Sequence, residues 1–112
     1  MALKKNKKQD KSAGLNISVK TEGAEYTFLL DGRLDTLTSP DLDSKVKEVI
    51  GDAEKLVFDL EKLEYISSAG LRVLLGAVQG MEGKGEMVVR NLSRAVRDVF
   101  DLTGFSLMFT IE

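Results

Sequence analysis

From Leu15 onward, apolar and polar positions alternate. Leu15, Ile17 and Val19 interleave with Asn16, Ser18 and Lys20, the period-two pattern of a half-buried strand. Glu22-Gly23-Ala24 supplies a turn, and Tyr26-Thr27-Phe28-Leu29-Leu30 reads as the antiparallel partner. A hairpin is therefore expected to open the domain, with Asp31-Gly32 breaking its ladder. The period then becomes helical. Thr38 or Ser39 can cap a helix, Pro40 suits its first position, and Asp41 and Asp43 complement the positive end of the dipole. Leu42, Val46, Val49 and Ile50 make one apolar stripe, and Gly51 closes the segment. Lys55-Leu56-Val57-Phe58-Asp59-Leu60 is too brief for a helix and suits a central strand covered on both faces.

The next segment is unusually apolar. Ser67 or Ser68 caps a helix running to Gly80 in which only Arg72 and Gln79 are clearly polar. A helix of that kind is either packed on most sides or offers a face to a partner. Gly80, Gly83 and Gly85 form a turn, and Glu86-Met87-Val88-Val89-Arg90 reads as a short strand. Ser93 can cap a third helix, with Ala95, Val96, Val99 and Phe100 inward and Gly104 at its left-handed end. Phe105 to Ile111 supplies a last strand or an irregular apolar tail. The order β-β-α-β-α-β-α-β predicts one α/β domain. Its sheet is mixed but largely parallel, of about four or five strands, with helices packed against it behind an N-terminal hairpin strand.

Composition narrows the chemistry. The 112 residues include no His, Cys or Trp. That removes the usual structural zinc site, the disulfide, the thiol nucleophile and the Ser-His-Asp triad. Residues 1–14 hold Lys4, Lys5, Lys7, Lys8 and Lys11 against Asp10, net +4, which leaves −6 for the remainder of a chain at −2. Few apolar residues interrupt those lysines, so 1–14 is read as a disordered basic arm and 15–112 as the domain. A body at −6 is a poor binder of nucleic acid, and no direct contact with one is expected. No run approaches a membrane span and the arm lacks the apolar core of a signal peptide, so a cytoplasmic monomer is the expectation.

Three motifs invite a functional reading. Gly80-Met81-Glu82-Gly83-Lys84-Gly85 resembles a phosphate loop. Its spacing is wrong, though, and it follows a helix instead of opening one. Asp31, Asp35, Asp41 and Asp43 match no calcium loop, so no metal or cofactor is expected. Ser67-Ser68-Ala69-Gly70 places two hydroxyls where free amides and the positive end of a helix meet solvent. The G-x-S-x-G elbow is absent and no His can serve as base, which argues against a hydrolase, even one using Lys62 or Lys84. A helix cap is the simple role for this pair. A phosphorylation switch is the other role that its physics allows.

Glu61-Lys62-Leu63-Glu64-Tyr65-Ile66-Ser67-Ser68-Ala69-Gly70-Leu71-Arg72-Val73-Leu74-Leu75 resembles the signature of STAS domains of the anti-sigma factor antagonist type. Gly32-Arg33-Leu34-Asp35 followed by Thr38 is similar to the family's loop before the first helix. Leu56–Leu60 is similar to its central strand, and Met87-Val88-Val89 with Leu102-Thr103-Gly104 to its later strand and closing turn. The resemblance spans roughly residues 15–112.

It implies a non-enzymatic bacterial regulator that switches partners. In such proteins the unphosphorylated antagonist binds an anti-sigma factor that is also a serine kinase, and the sigma factor is released. Phosphorylation of one serine ends the association, and a metal-dependent serine phosphatase restores it. The acceptor stands two residues before the motif's glycine, which makes it Ser68, favoured over Ser67. Several switching members carry Asp directly before the acceptor, where this chain has Ser67. The implied docking surface comprises Asp35, Thr36 and Thr38 together with Ser67, Ser68, Ala69, Gly70, Leu71 and Arg72. The alternative is a STAS accessory subunit that docks on the ATPase of a transport system, or on a sensor complex, without a phospho-switch.

Overall fold

The computed structural model describes residues 10–12 and 14–112 of the chain. Strand β1 (Asp10–Ser12) lies antiparallel to β2 (Leu15–Glu22), with Asp10 opposite Ile17 and Ser12 opposite Leu15. The sequence reading placed these three residues in a disordered arm. Their backbone instead pairs along the edge of the sheet, and the remaining arm residues, 1–9 and 13, lie outside the described residues. The expected hairpin joins β2 to β3 (Glu25–Leu34) through a two-residue turn at Gly23-Ala24, where Gly23 has φ 61°.

Asp31-Gly32 does not end that ladder. Leu15 still pairs with Gly32, and β3 runs on to Leu34. Gly32 has φ 121°, and a Cβ there would stand 2.0 Å from the Gly14 carbonyl oxygen. The register with the next strand slips on either side of it, so the glycine marks an irregularity inside a continuing strand.

Helix α1 (Ser39–Val49) follows, then β4 (Lys55–Ile66), α2 (Ser68–Met81), β5 (Glu86–Arg90), α3 (Arg94–Thr103), a 3-10 turn at Phe105–Leu107 and β6 (Thr110–Ile111). The six strands sit in sequence order. The first two pairings are antiparallel and the last three parallel. Strand β4 is twice as long as its apolar run suggested, because its second half, through Ile66, continues beside β3 beyond the end of β5.

Each parallel step moves one place in the same direction, and right-handed crossovers then put all three helices on one face. Leu15 and Ile17, Phe28 and Leu30, Leu56, Phe58 and Leu60, and Met87 and Val89 point to that face. There they join Leu42 and Val46 of α1, Leu71 and Leu74 of α2, and Val96 and Phe100 of α3 in one cluster. Phe28 and Phe58 stack at its centre, with ring centroids 5.2 Å apart. Helices therefore cover β4 on one face and not on both. Val57 and Val88, on the other face, are nonetheless buried. Ala95, expected inward on α3, is exposed, since the stripe that meets the sheet is Val96 and Phe100.

Candidate functional site

Two helix N-termini meet at the carboxyl ends of β3 and β4, the place where open α/β sheets commonly present their sites. The strands stay paired to their last residues, Arg33 with Tyr65 and Leu34 with Ile66, and the Ser67 amide donates to the Leu34 carbonyl at 2.9 Å. The loop before α1 and the start of α2 are thereby held side by side.

The loop is organised by Asp35. Its Oδ1 accepts from the Leu37 amide at 3.0 Å and from the Thr38 amide and hydroxyl, each at 3.2 Å. The Asp35 amide donates to Thr38 Oγ1 at 2.9 Å, and the single proton of that hydroxyl lies between Asp35 Oδ1 and the nearer Arg33 carbonyl at 2.9 Å. The Asp35 carbonyl accepts from both the amide and the hydroxyl of Ser39. Thr38 is the N-cap residue of α1, yet its side chain serves the loop and not the helix amides. Beside this net, the Arg33 guanidinium carbon lies 4.4 Å from the centroid of the Tyr65 ring, and Arg33 Nε is 3.8 Å from Asp35 Oδ2.

At the start of α2 the two serines separate in role. Ser67 is the N-cap, half-buried, and its Oγ accepts from the Gly70 amide at 3.4 Å. Ser68 is the first helical residue and is exposed. Helical spacing puts Arg72 one turn further along the same exposed face. A shallow groove between the helices is lined by Thr36, Ser39, Pro40, Ala69 and Arg72, among others. Gly70 permits this approach, because a Cβ there would lie 2.7 Å from Leu34 Cγ and 2.9 Å from Ile66 Cγ1.

The structure brings all nine sequence-predicted surface residues to one end of the molecule, but not all of them face outward. Asp35 and Ala69 are half-buried, whereas Thr36, Ser68 and Arg72 are exposed. Thr38, Gly70 and Leu71 are buried, so they build the site from beneath and cannot form its contact surface. Sequence reasoning passed over Arg33, Tyr65 and Leu37. For Leu37 a signal existed: it is the lone apolar residue in Asp-Thr-Leu-Thr-Ser-Pro, and its side chain is 76% exposed.

Among the described residues no cluster of carboxylates could hold a metal ion, and no helix is long and apolar enough to cross a membrane. The Gly80–Gly85 segment is the end of α2 and a turn. Its Lys84 and Gly85 amides are bound to the Met81 carbonyl, and the Lys84 amine donates to the Ile50 carbonyl at 2.7 Å.

A serine pair at the start of α2 thus stands beside a loop held by Asp35, at one end of a two-layer α/β domain. The STAS domain family matches residues 16–112, and the chain belongs to that family. BtrV of Bordetella bronchiseptica is 38% identical over 84 residues, covering 73% of this chain and 72% of that protein. The anti-sigma F factor antagonist of Paenibacillus polymyxa is 34% identical over 100 residues, 84% of this chain and 86% of the relative. In fold the chain is similar to the anti-sigma factor antagonist SpoIIAA in its unphosphorylated form. There the TM-score is 0.70 and the identity 20%, over 86% of each chain. For the phosphorylated form of SpoIIAA the TM-score is 0.69 at 21% identity, over 86% of this chain and 90% of the other.

Proposed function

We propose that this chain is an anti-sigma factor antagonist that works by partner switching. Unphosphorylated, it binds an anti-sigma factor that is also a serine kinase, which frees the sigma factor. Phosphorylation of Ser68 ends the association, and a metal-dependent serine phosphatase reverses it. The domain is a cytoplasmic binding protein in this scheme, and Ser68 is a substrate for another enzyme rather than a nucleophile.

The observation that carries the reading is the division of labour between the serines. The Ser67 hydroxyl is half-buried and committed to the Gly70 amide, whereas Ser68 stands exposed at the first helical position. A phosphate on Ser68 would meet the positive end of α2 and its free amides, so the fold has no reason to open. A docked partner would meet a charge of about −1.5 to −2 in the middle of its contact. Weakening a complex a thousandfold takes about 4 kcal/mol. Burying a poorly matched phosphate in that contact is of that order.

The test is to incubate the purified chain with ATP, Mg2+ and each anti-sigma factor serine kinase of the source organism, and to map the modified residue by mass spectrometry. Phosphate is expected on Ser68 in the wild type and in Ser67→Ala, and on neither serine in Ser68→Ala. The Ser68→Ala protein should still bind the kinase and fail to be released by ATP. Modification of Ser67, or a Ser68→Asp protein that binds as tightly as wild type, defeats the proposal.

A further inference from the structure

The loop between β3 and α1 spends its polar groups on itself. Asp35 Oδ1 takes three donors within the loop, its backbone carbonyl takes two from Ser39, and Thr38 Oγ1 bridges the Asp35 amide and the Arg33 carbonyl. These bonds fix the shape of the loop. What the loop does present is Leu37, with 76% of its surface in solvent and its own amide tied to Asp35. A leucine pinned at its backbone and bare at its side chain has lost much of the freedom that binding would otherwise cost, which suits an anchor.

Position adds the second argument. Thr36, next to Leu37, lines the same groove as Ala69 and Arg72 of α2's first turns. The Arg33–Tyr65 stack stands at the paired ends of the two strands that lead into these segments. A protein that covers Ser68 from this end of the molecule also meets the loop. Among the described residues, Leu102, Leu107 and Met108 are also exposed apolar side chains, and they belong to the end of α3 and the turn after it.

We infer that Leu37 is the apolar anchor through which this chain docks on the kinase, seated in a leucine-sized apolar pocket of that partner with the Arg33–Tyr65 stack at its rim. Asp35 is then a positioning residue that aims the leucine. The inference rests on the partner-switch reading above and names the residue that secures the complex.

The experiment measures affinity for the purified anti-sigma factor serine kinases of the source organism by calorimetry, on the full chain. Wild type is compared with Leu37→Ala, Leu37→Asp, Leu37→Met and, as a control surface, Leu102→Ala. Truncating a central anchor weakens binding by roughly 10- to 100-fold, so Leu37→Ala should fall in that range and Leu37→Asp beyond it. Leu37→Met should stay near wild type, Leu102→Ala should be unchanged, and none should lose thermal stability, because an exposed side chain supports little of the core. A wild type that binds and is modified at Ser68, with Leu37→Ala and Leu37→Asp binding equally well, overturns the anchor and leaves the switch standing. Concentration-dependent pairing of the chain abolished by Leu37→Asp, with kinase affinity unaltered, also overturns it in favour of a second copy as occupant. A wild type that neither binds nor is modified by any of the kinases overturns the switch and the anchor together.

Discussion

Two glycines on α2 should answer the same substitution with opposite signs. In Gly70→Ala the new methyl would arrive 2.7 Å from Leu34 Cγ and 2.9 Å from Ile66 Cγ1. These are the branch carbon of one side chain and an inner methylene of another, both buried at the ends of paired strands, so neither can swing aside. Overpacking of this kind costs about 1–3 kcal/mol, and the better helix propensity of alanine returns at most about 1 kcal/mol. With approaches under 3.0 Å the cost falls in the upper part of that range, about 2–3 kcal/mol, so the balance is a loss of about 1–2 kcal/mol. In Gly76→Ala, two turns along, the methyl meets nothing within 4 Å. Only the propensity gain remains, about 0.5–1 kcal/mol. A domain of this size moves by roughly 4–8 °C per kcal/mol, so calorimetry should show Gly70→Ala melting roughly 4–16 °C lower and Gly76→Ala roughly 2–8 °C higher. A Gly70→Ala protein at least as stable as wild type would refute the claim that this glycine exists to let α2 settle on the strand ends.

Two further outcomes follow from the hydrogen bonds. Ser67→Ala should cost about 0.5–1 kcal/mol, the low end for a lost cap because the bond to Gly70 is long at 3.4 Å, while Ser68→Ala should fall within about 0.5 kcal/mol of wild type. Urea midpoints distinguish the pair, and equal losses would contradict the roles assigned to them. Thr38→Val removes the hydroxyl between the Asp35 amide and the Arg33 carbonyl at a fully buried position, and should cost about 1–3 kcal/mol where Thr38→Ser costs less. Equal denaturant midpoints for Val and Ser would show that the loop does not depend on that bridge.

Where local pattern and tertiary need agreed, the sequence was readable. The burial of Leu15 and Ile17, the stripe of Leu42 and Val46 and the cap at Ser93 appear where spacing and side-chain chemistry put them, whereas Val19 is exposed and the cap of α2 falls to Ser67 of the two serines offered. Asp31-Gly32 misled because a glycine that stops a strand and one that kinks a continuing strand look alike in a single chain. Only the Gly14 carbonyl pressed against Gly32 tells them apart. Strand β4 outran its apolar run for a related reason. Beyond Leu60 it keeps the β3 partner but lies past the end of β5, and Glu61, Lys62, Glu64 and Tyr65 there face solvent.

The site divides along the same line. Residue types in order were enough to mark the serine pair, because a helix cap needs a particular side chain at a particular place, while the Asp35 loop was marked by its resemblance to a family motif. Which members face outward was not written in that order. Ser67 and Ser68 are chemically the same, and so are a buried and an exposed leucine. Their difference arises when parallel pairing sets the ends of β3 and β4 side by side and the amide of Ser67 binds the Leu34 carbonyl. That contact directs Ser67 to the helix amides and leaves Ser68 in solvent, while the bonds around Asp35 turn Leu37 outward. Sequence alone therefore determined the elements and the candidates, since those depend on neighbours along the chain. Exposure depends on neighbours brought together across the sheet, and only the tertiary structure decided it.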